Sequence, residues 1–115
     1  MRLRSDIWVA AYLRRCGVEG ANAVLRRRGA AEAGAIFVKV DHLNGRATLY
    51  GPAPQSVAAE VEPGVERIFA RAHGGDSINS GEAEERLKRE IAFDPDLWIV
   101  EVENGRPGAW LDLAP

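Results

Sequence analysis

The chain has 115 residues and a mass of 12.5 kDa, the size of one domain. Its 46% hydrophobic and 28% charged residues exclude wholesale disorder and fibrous repeats. The net charge of −2 conceals a skew: residues 1–40 carry eight cations against three acids, a net of +5, whereas residues 41–115 carry seven cations against fourteen acids, a net of −7.

From the N-terminus, Arg2 and Arg4 followed by the apolar residues 7–13 imitate an export signal. Asp6 at the mouth of that run, Arg14 and Arg15 at its end, and the lack of a small-x-small cleavage pattern argue against one. The run is also far short of the roughly 18–20 residues a membrane span needs, so a cytosolic protein is expected. Ser5 is expected to cap a first helix, with Asp6 suiting the positive end of its dipole. Trp8, Ala11, Tyr12 and Cys16 recur at helical spacing and form its expected inner face, widened by Ile7 and Leu13. Gly17 and Gly20 end the helix.

Residues 21–28 are rich in the helix formers Ala, Leu and Arg but short and bounded by glycines, so helix and strand both fit and strand is preferred. Ile36, Val38 and Val40 then alternate with Phe37, Lys39 and Asp41, and Asn44-Gly45 predicts a two-residue hairpin turn. That loop would set Leu43 against Arg46, Asp41 against Thr48 and Lys39 against Tyr50. One face would then carry Ile36, Val38, Val40, Ala47 and Leu49 as core, and the other Phe37, Lys39, Asp41, Thr48 and Tyr50 as a half-polar surface. Pro52, Pro54, Pro63 and Gly64 break long elements, which makes residues 52–80 a flexible connection. Within it, Val65, Ile68, Phe69 and Ala72 fit one short amphipathic helix. A second main helix follows over residues 80–92, capped by Asn79 or Ser80, with acid-first pairs Glu82–Arg86, Glu84–Lys88 and Glu85–Arg89 and a narrow stripe of Ala83, Leu87 and Ile91. Trp98, Val100 and Val102 alternate with Ile99, Glu101 and Glu103 as a fourth strand, and residues 109–113 make a short fifth after the turn at 104–108. The expected architecture is a single α+β domain over residues 1–115. It has a largely antiparallel sheet of about five strands, covered on one face by two main helices and a short third one.

No strong chemical motif accompanies this architecture. Cys16 excludes an intrachain disulfide and a cysteine zinc site, and reads as a small buried hydrophobe. His42 and His73 are isolated in sequence, so no metal is expected. Asp94, Asp96, Glu101 and Glu103 read as a solvated face. Gly74-Gly75-Asp76-Ser77 and Gly17-Val18-Glu19-Gly20 read as turns, because neither has the lysine and strand-to-helix context of a phosphate loop. The order of helices and strands also suits a nuclease core built on an Asp/Glu-x-Lys motif, but Phe37 precedes Lys39 by two and Arg86 precedes Lys88 by two, so that motif is absent. Arg14, Arg15, Arg26, Arg27 and Arg28, with Phe37 and Tyr50 nearby, are the candidate contacts for nucleic acid or a partner. Ion pairing between the basic front and the acidic back is the simpler reading of the charges, since the pI near 5.7 is unlike that of most nucleic-acid domains.

The segments Ser-Asp-Ile-Trp-Val-Ala-Ala-Tyr-Leu-Arg-Arg (5–15), Arg-Arg-Gly-Ala-Ala-Glu-Ala-Gly-Ala-Ile-Phe-Val-Lys-Val (27–40), Leu-Tyr-Gly-Pro-Ala-Pro-Gln (49–55) and Phe-Asp-Pro-Asp-Leu-Trp-Ile-Val-Glu-Val (93–102) resemble those of the short bacterial domain of unknown function family 1491. The resemblance spans nearly the whole chain, most weakly between Ser56 and Ser80. It supports a strand at 21–28 and implies no activity and no functional residues. The expected function is therefore a non-catalytic cytosolic interaction module, binding a protein partner or self-associating, with no cofactor and no membrane contact. The alternatives are a nucleic-acid-binding accessory protein using the arginine-rich front and a small-molecule enzyme without a recognisable motif, which a pocket with convergent polar groups would favour.

Overall fold

A sheet with helices on both of its faces organises the computed structural model, which describes residues 3–54, 67–103 and 106–115. In chain order the elements are α1 (Ser5–Val18), β1 (Asn22–Arg27), β2 (Ile36–Asp41), β3 (Arg46–Pro52), β4 (Phe69–Arg71), β5 (Ile78–Asn79), α2 (Ser80–Phe93) and β6 (Trp98–Glu103). The strands lie in the order β1-β6-β2-β3-β4, with β5 beside β3. The expectation of a largely antiparallel sheet is corrected at its centre, where β6 runs parallel to β2 from Ile36↔Trp98 to Asp41↔Glu103. The cause is α2, which carries the chain across the sheet from β5 to β6, as a parallel return requires. Among the described residues the sheet has six strands. The expected fifth strand at 109–113 is absent: residues 107–110 form a turn, and Leu113 makes a single bridge to Phe69.

β2 and β6 are buried on both sides, so the expected half-polar outer face is also core. On one side Ile36, Val38, Val40, Trp98, Val100 and Val102 pack with Val9, Tyr12 and Cys16 of α1. On the other, Phe37, Leu49, Leu97 and Ile99 meet Leu87 of α2, and Ala83 joins Ala47 and Ile78. The stripe of α2 is as expected, and Asn79 caps it by accepting the Gly81 N–H at 2.8 Å. The inner face of α1 is rotated from the expected one, since Val9 is buried and Ala11 exposed. Ser5 is not its cap. The N–H groups of Ser5 and Asp6 donate to Glu32 O and Ala31 O, while the buried Ser5 hydroxyl donates to Gly34 O at 2.7 Å. A loop distant in sequence thus satisfies the helix start.

The hairpin register is one residue away from the expected one: Asp41 faces Ala47, Val40 faces Thr48 and Val38 faces Tyr50. His42 N–H donates to Arg46 O, closing a three-residue loop with Leu43 at φ 60° and Gly45 at φ 84°. Side chains favour this longer loop, because Asp41 accepts from Leu43 N–H and Asn44 accepts from Arg46 N–H. A one-residue slip regroups faces, so Thr48 and Tyr50 join Val38 and Val40, while Ala47 and Leu49 join Phe37 and Lys39.

The reading of Val65, Ile68, Phe69 and Ala72 as a helix is corrected where it can be compared: Phe69 opens β4, and Val65 lies outside the described residues. β4 sets Phe69 opposite Pro52 and Arg71 opposite Tyr50, so part of the expected 52–80 connection belongs to the sheet. No helix among the described residues is long and apolar enough to cross a membrane.

Candidate functional site

The arginines singled out in the sequence are dispersed. Arg14 and Arg15 are exposed on α1, where Arg15 pairs with Glu19 at 3.3 Å. A bulge between Leu25 and Arg27 interrupts β1. Arg27 there donates to Pro95 O at 2.7 Å, and the Arg28 guanidinium lies 5.3 Å from the Trp98 ring centroid. Phe37 and Tyr50 belong to opposite cores and are each 7% exposed. The residues expected to share one stacking surface are therefore not brought together.

Arg26 instead joins the basic front to the acidic back. Its guanidinium contacts both Glu84 oxygens at 2.7 and 2.8 Å and Glu101 at 3.0 Å. The Lys39 ammonium, nearly buried, lies 2.6 Å from Glu84 and 3.9 Å from Glu101. Two cations and two carboxylates thus form a neutral network linking β1, β2, β6 and α2. The Arg26 guanidinium, helped by Lys39, holds the Glu84 carboxyl down at about 2, although partial burial opposes this. Every charge in the network has a partner within it. Of the carboxylates expected as a solvated face, Asp96 and Glu103 are exposed and Glu101 joins this network; Glu103 accepts from Asn22, and Asp94 accepts from Asp96 N–H. Among the described residues no group of three or more His, Cys, Asp and Glu could hold a metal ion.

Polar groups converge elsewhere. On the α1 side of the sheet an open cleft of about 1130 Å³ lies between the hairpin end, the 73–77 loop and the 106–115 segment. Val40, Tyr50, Phe69 and Leu113 contribute apolar side chains to its lining, together with Arg46, Arg71, Arg106, His42 and His73. The strand pairing explains the convergence, because Tyr50 and Arg71 are directly opposed on β3 and β4. Gly108 lines the far side and opens a run of three successive residues with Ala109 and Trp110 at φ 81°, 47° and 59°. A left-handed backbone costs roughly 1–2 kcal/mol for each residue other than glycine. It is held by Ala109, which is fully buried and accepts the Tyr12 hydroxyl at 2.8 Å.

Hydrogen bonds settle which groups in the cleft are already committed. The Thr48 hydroxyl donates its single proton to Asp76 O at 2.7 Å, so at 2.8 Å from the same oxygen His42 Nε2 is the donor and carries a hydrogen. His73 Nε2 accepts the Leu49 N–H at 3.1 Å, which places the hydrogen on Nδ1, facing Gly74 O at 2.9 Å. Arg46 donates from Nε to Ser77 Oγ and from Nη2 to Ser77 O, and Arg71 pairs with Asp76 at 2.6 Å. Arg106 has no ion-pair partner among the described residues, and the Tyr50 hydroxyl makes no hydrogen bond to any of them. Cys16 is remote from this chemistry: it is fully buried, and burial pushes its thiol up, away from the reactive thiolate. Arg46, Arg71 and Arg106 escaped the sequence reading. The available signal was the alternation of Phe69, Arg71 and His73 with Ala70 and Ala72, which spans too few residues to outweigh the flanking prolines and glycines.

A profile of the family described as "Protein of unknown function (DUF1491)" matches residues 3–112. The solution structure of protein Atu0922 from A. tumefaciens is 42% identical, with 98% of this chain and 95% of that one covered at a TM-score of 0.79. A crystal structure of a DUF1491 family protein from Caulobacter crescentus CB15 is 34% identical over all of both chains, at a TM-score of 0.76. An NMR structure of a DUF1491 family protein from the same organism is 32% identical over 100% of this chain and 99% of that one, at 0.74. No curated protein matches the chain.

Proposed function

The chain belongs to the DUF1491 family, whose function is unknown, and from that premise we propose that it is a non-catalytic binding module of the cytoplasm whose ligand site is the cleft beside the β2–β3 hairpin. The observation that carries this reading is the convergence of three arginines and Tyr50 on the lining of one concavity. Several groups that could do nucleophilic or acid–base work are engaged in holding the walls: Thr48 with Asp76, His73 with Leu49 and Gly74, and Ser77 with Arg46. That engagement favours binding over turnover. A single buried cysteine suits a reducing compartment. Nothing in the dispersal of Arg14, Arg15, Arg26, Arg27 and Arg28 favours a nucleic-acid surface.

Amide chemical-shift mapping with a set of small neutral and charged fragments tests the reading. The expected result is saturable shifts grouped on Thr48, Tyr50, Ala70, Arg71 and Gly108. Shifts that avoid these residues for every fragment, or that appear only with an oligonucleotide and map to Arg14, Arg15 and Arg28, would reject it.

A further inference from the structure

We infer that the ligand of this cleft is a small phosphate monoester attached to an apolar, preferably aromatic, body; the inference rests on the reading of the cleft as a binding site. The charge of the lining sets the class. Among its side chains three arginines face one carboxylate, Asp76, and that carboxylate is engaged by Arg71. Among the described residues no acid pairs with Arg46 or Arg106, and Ser77 engages two of the three Arg46 nitrogens without neutralising the charge. Two uncompensated guanidinium groups suit a dianion better than a monocarboxylate, and the guanidinium fork matches phosphate oxygens.

The remaining polar groups complete the match. Tyr50 is 7% exposed, lines the cleft and has a hydroxyl that bonds to no described residue, so it is a donor available to a phosphate oxygen. His42, whose Nε2 hydrogen is directed at Thr48, adds a ring edge to the same lining. Leu113, exposed and backed by the buried Val40 and Phe69, provides the surface for the apolar body. Size argues in the same direction: binding pockets for small molecules measure roughly 300–1,000 Å³, and inorganic phosphate alone would leave most of a cleft of about 1130 Å³ to water.

Calorimetric titration of the full chain at low salt with phenyl phosphate, inorganic phosphate, benzoate and benzyl alcohol tests this, with amide shifts recorded in parallel. Phenyl phosphate should bind at the cleft amides about tenfold more tightly than each of the other three. Arg106→Gln should weaken it about tenfold, and Tyr50→Phe, which keeps the ring in the core, should weaken it several-fold with an unchanged melting temperature. Benzoate or benzyl alcohol binding the same amides as tightly as phenyl phosphate would overturn the phosphate assignment and leave the cleft reading intact. Undiminished binding by the folded Arg106→Gln and Tyr50→Phe proteins would overturn it as well. Cleft amides unmoved by all four compounds would overturn both this inference and the reading beneath it.

Discussion

Replacing Glu84 by glutamine keeps the shape of the side chain and removes the charge that Arg26 and Lys39 share. A carboxyl whose pKa falls from 4.5 to about 2 on folding stabilises the folded state by roughly 3 kcal/mol at neutral pH, at about 1.4 kcal/mol per pKa unit. One third of the side chain (34%) remains exposed, and solvent screening reduces that figure to about 1–2 kcal/mol. The variant also leaves the Lys39 ammonium, 8% exposed, facing only Glu101 at 3.9 Å, and an under-compensated buried charge adds to the loss. We expect Glu84→Gln to lose about 2–3 kcal/mol at pH 7 in urea denaturation. Because the folded-state pKa is depressed, the advantage of the wild type is fully present above pH 4.5 and disappears as pH falls toward 2. The stability gap should therefore narrow across that window, and adding Lys39→Met should recover part of the loss at pH 7. A gap that is absent at pH 7, or that stays constant down to pH 2.5, would refute the reasoning.

Three further outcomes follow from the packing. A methyl group at Gly29 would sit 2.2 Å from Asp96 O and 2.6 Å from both Leu97 C and the Trp98 ring, so Gly29→Ala should lower stability by about 3 kcal/mol, read as a fall in melting temperature. Gly45 has φ 84° and open space around it, so Gly45→Val should cost about 1–3 kcal/mol through backbone strain alone, and unchanged thermal stability would count against the loop geometry. Cys16 is fully buried, so thiol labelling of the folded protein should be slow and should accelerate in step with urea unfolding.

The sequence was most informative where one element answers to one local rule. The stripe Ala83, Leu87 and Ile91, the cap Asn79 and the strands beginning at Ile36 and Trp98 all follow from short-range periodicity and turn chemistry. It was least informative where a distant segment decides. Ser5 would have been a cap but for the carbonyls of Ala31 and Glu32, and the Asn44-Gly45 turn would have had two residues but for Asp41 and Asn44, whose side chains bond within the longer loop. The second buried face of β2 could not be read from alternation, because Lys39 looks like a solvent residue until Glu84 arrives from α2. The cleft was hidden for the same reason. Arg46, Arg71 and Arg106 come from three separate stretches and meet only because β4 pairs with β3 and the 106–115 segment returns beside Phe69.

A crystal structure of the protein soaked with phenyl phosphate tests the central claim most directly. The account predicts the phosphate beside Arg46 and Arg106 and the ring against Tyr50 and Phe69. A compound bound elsewhere on the chain, with the cleft occupied by water alone, would contradict it.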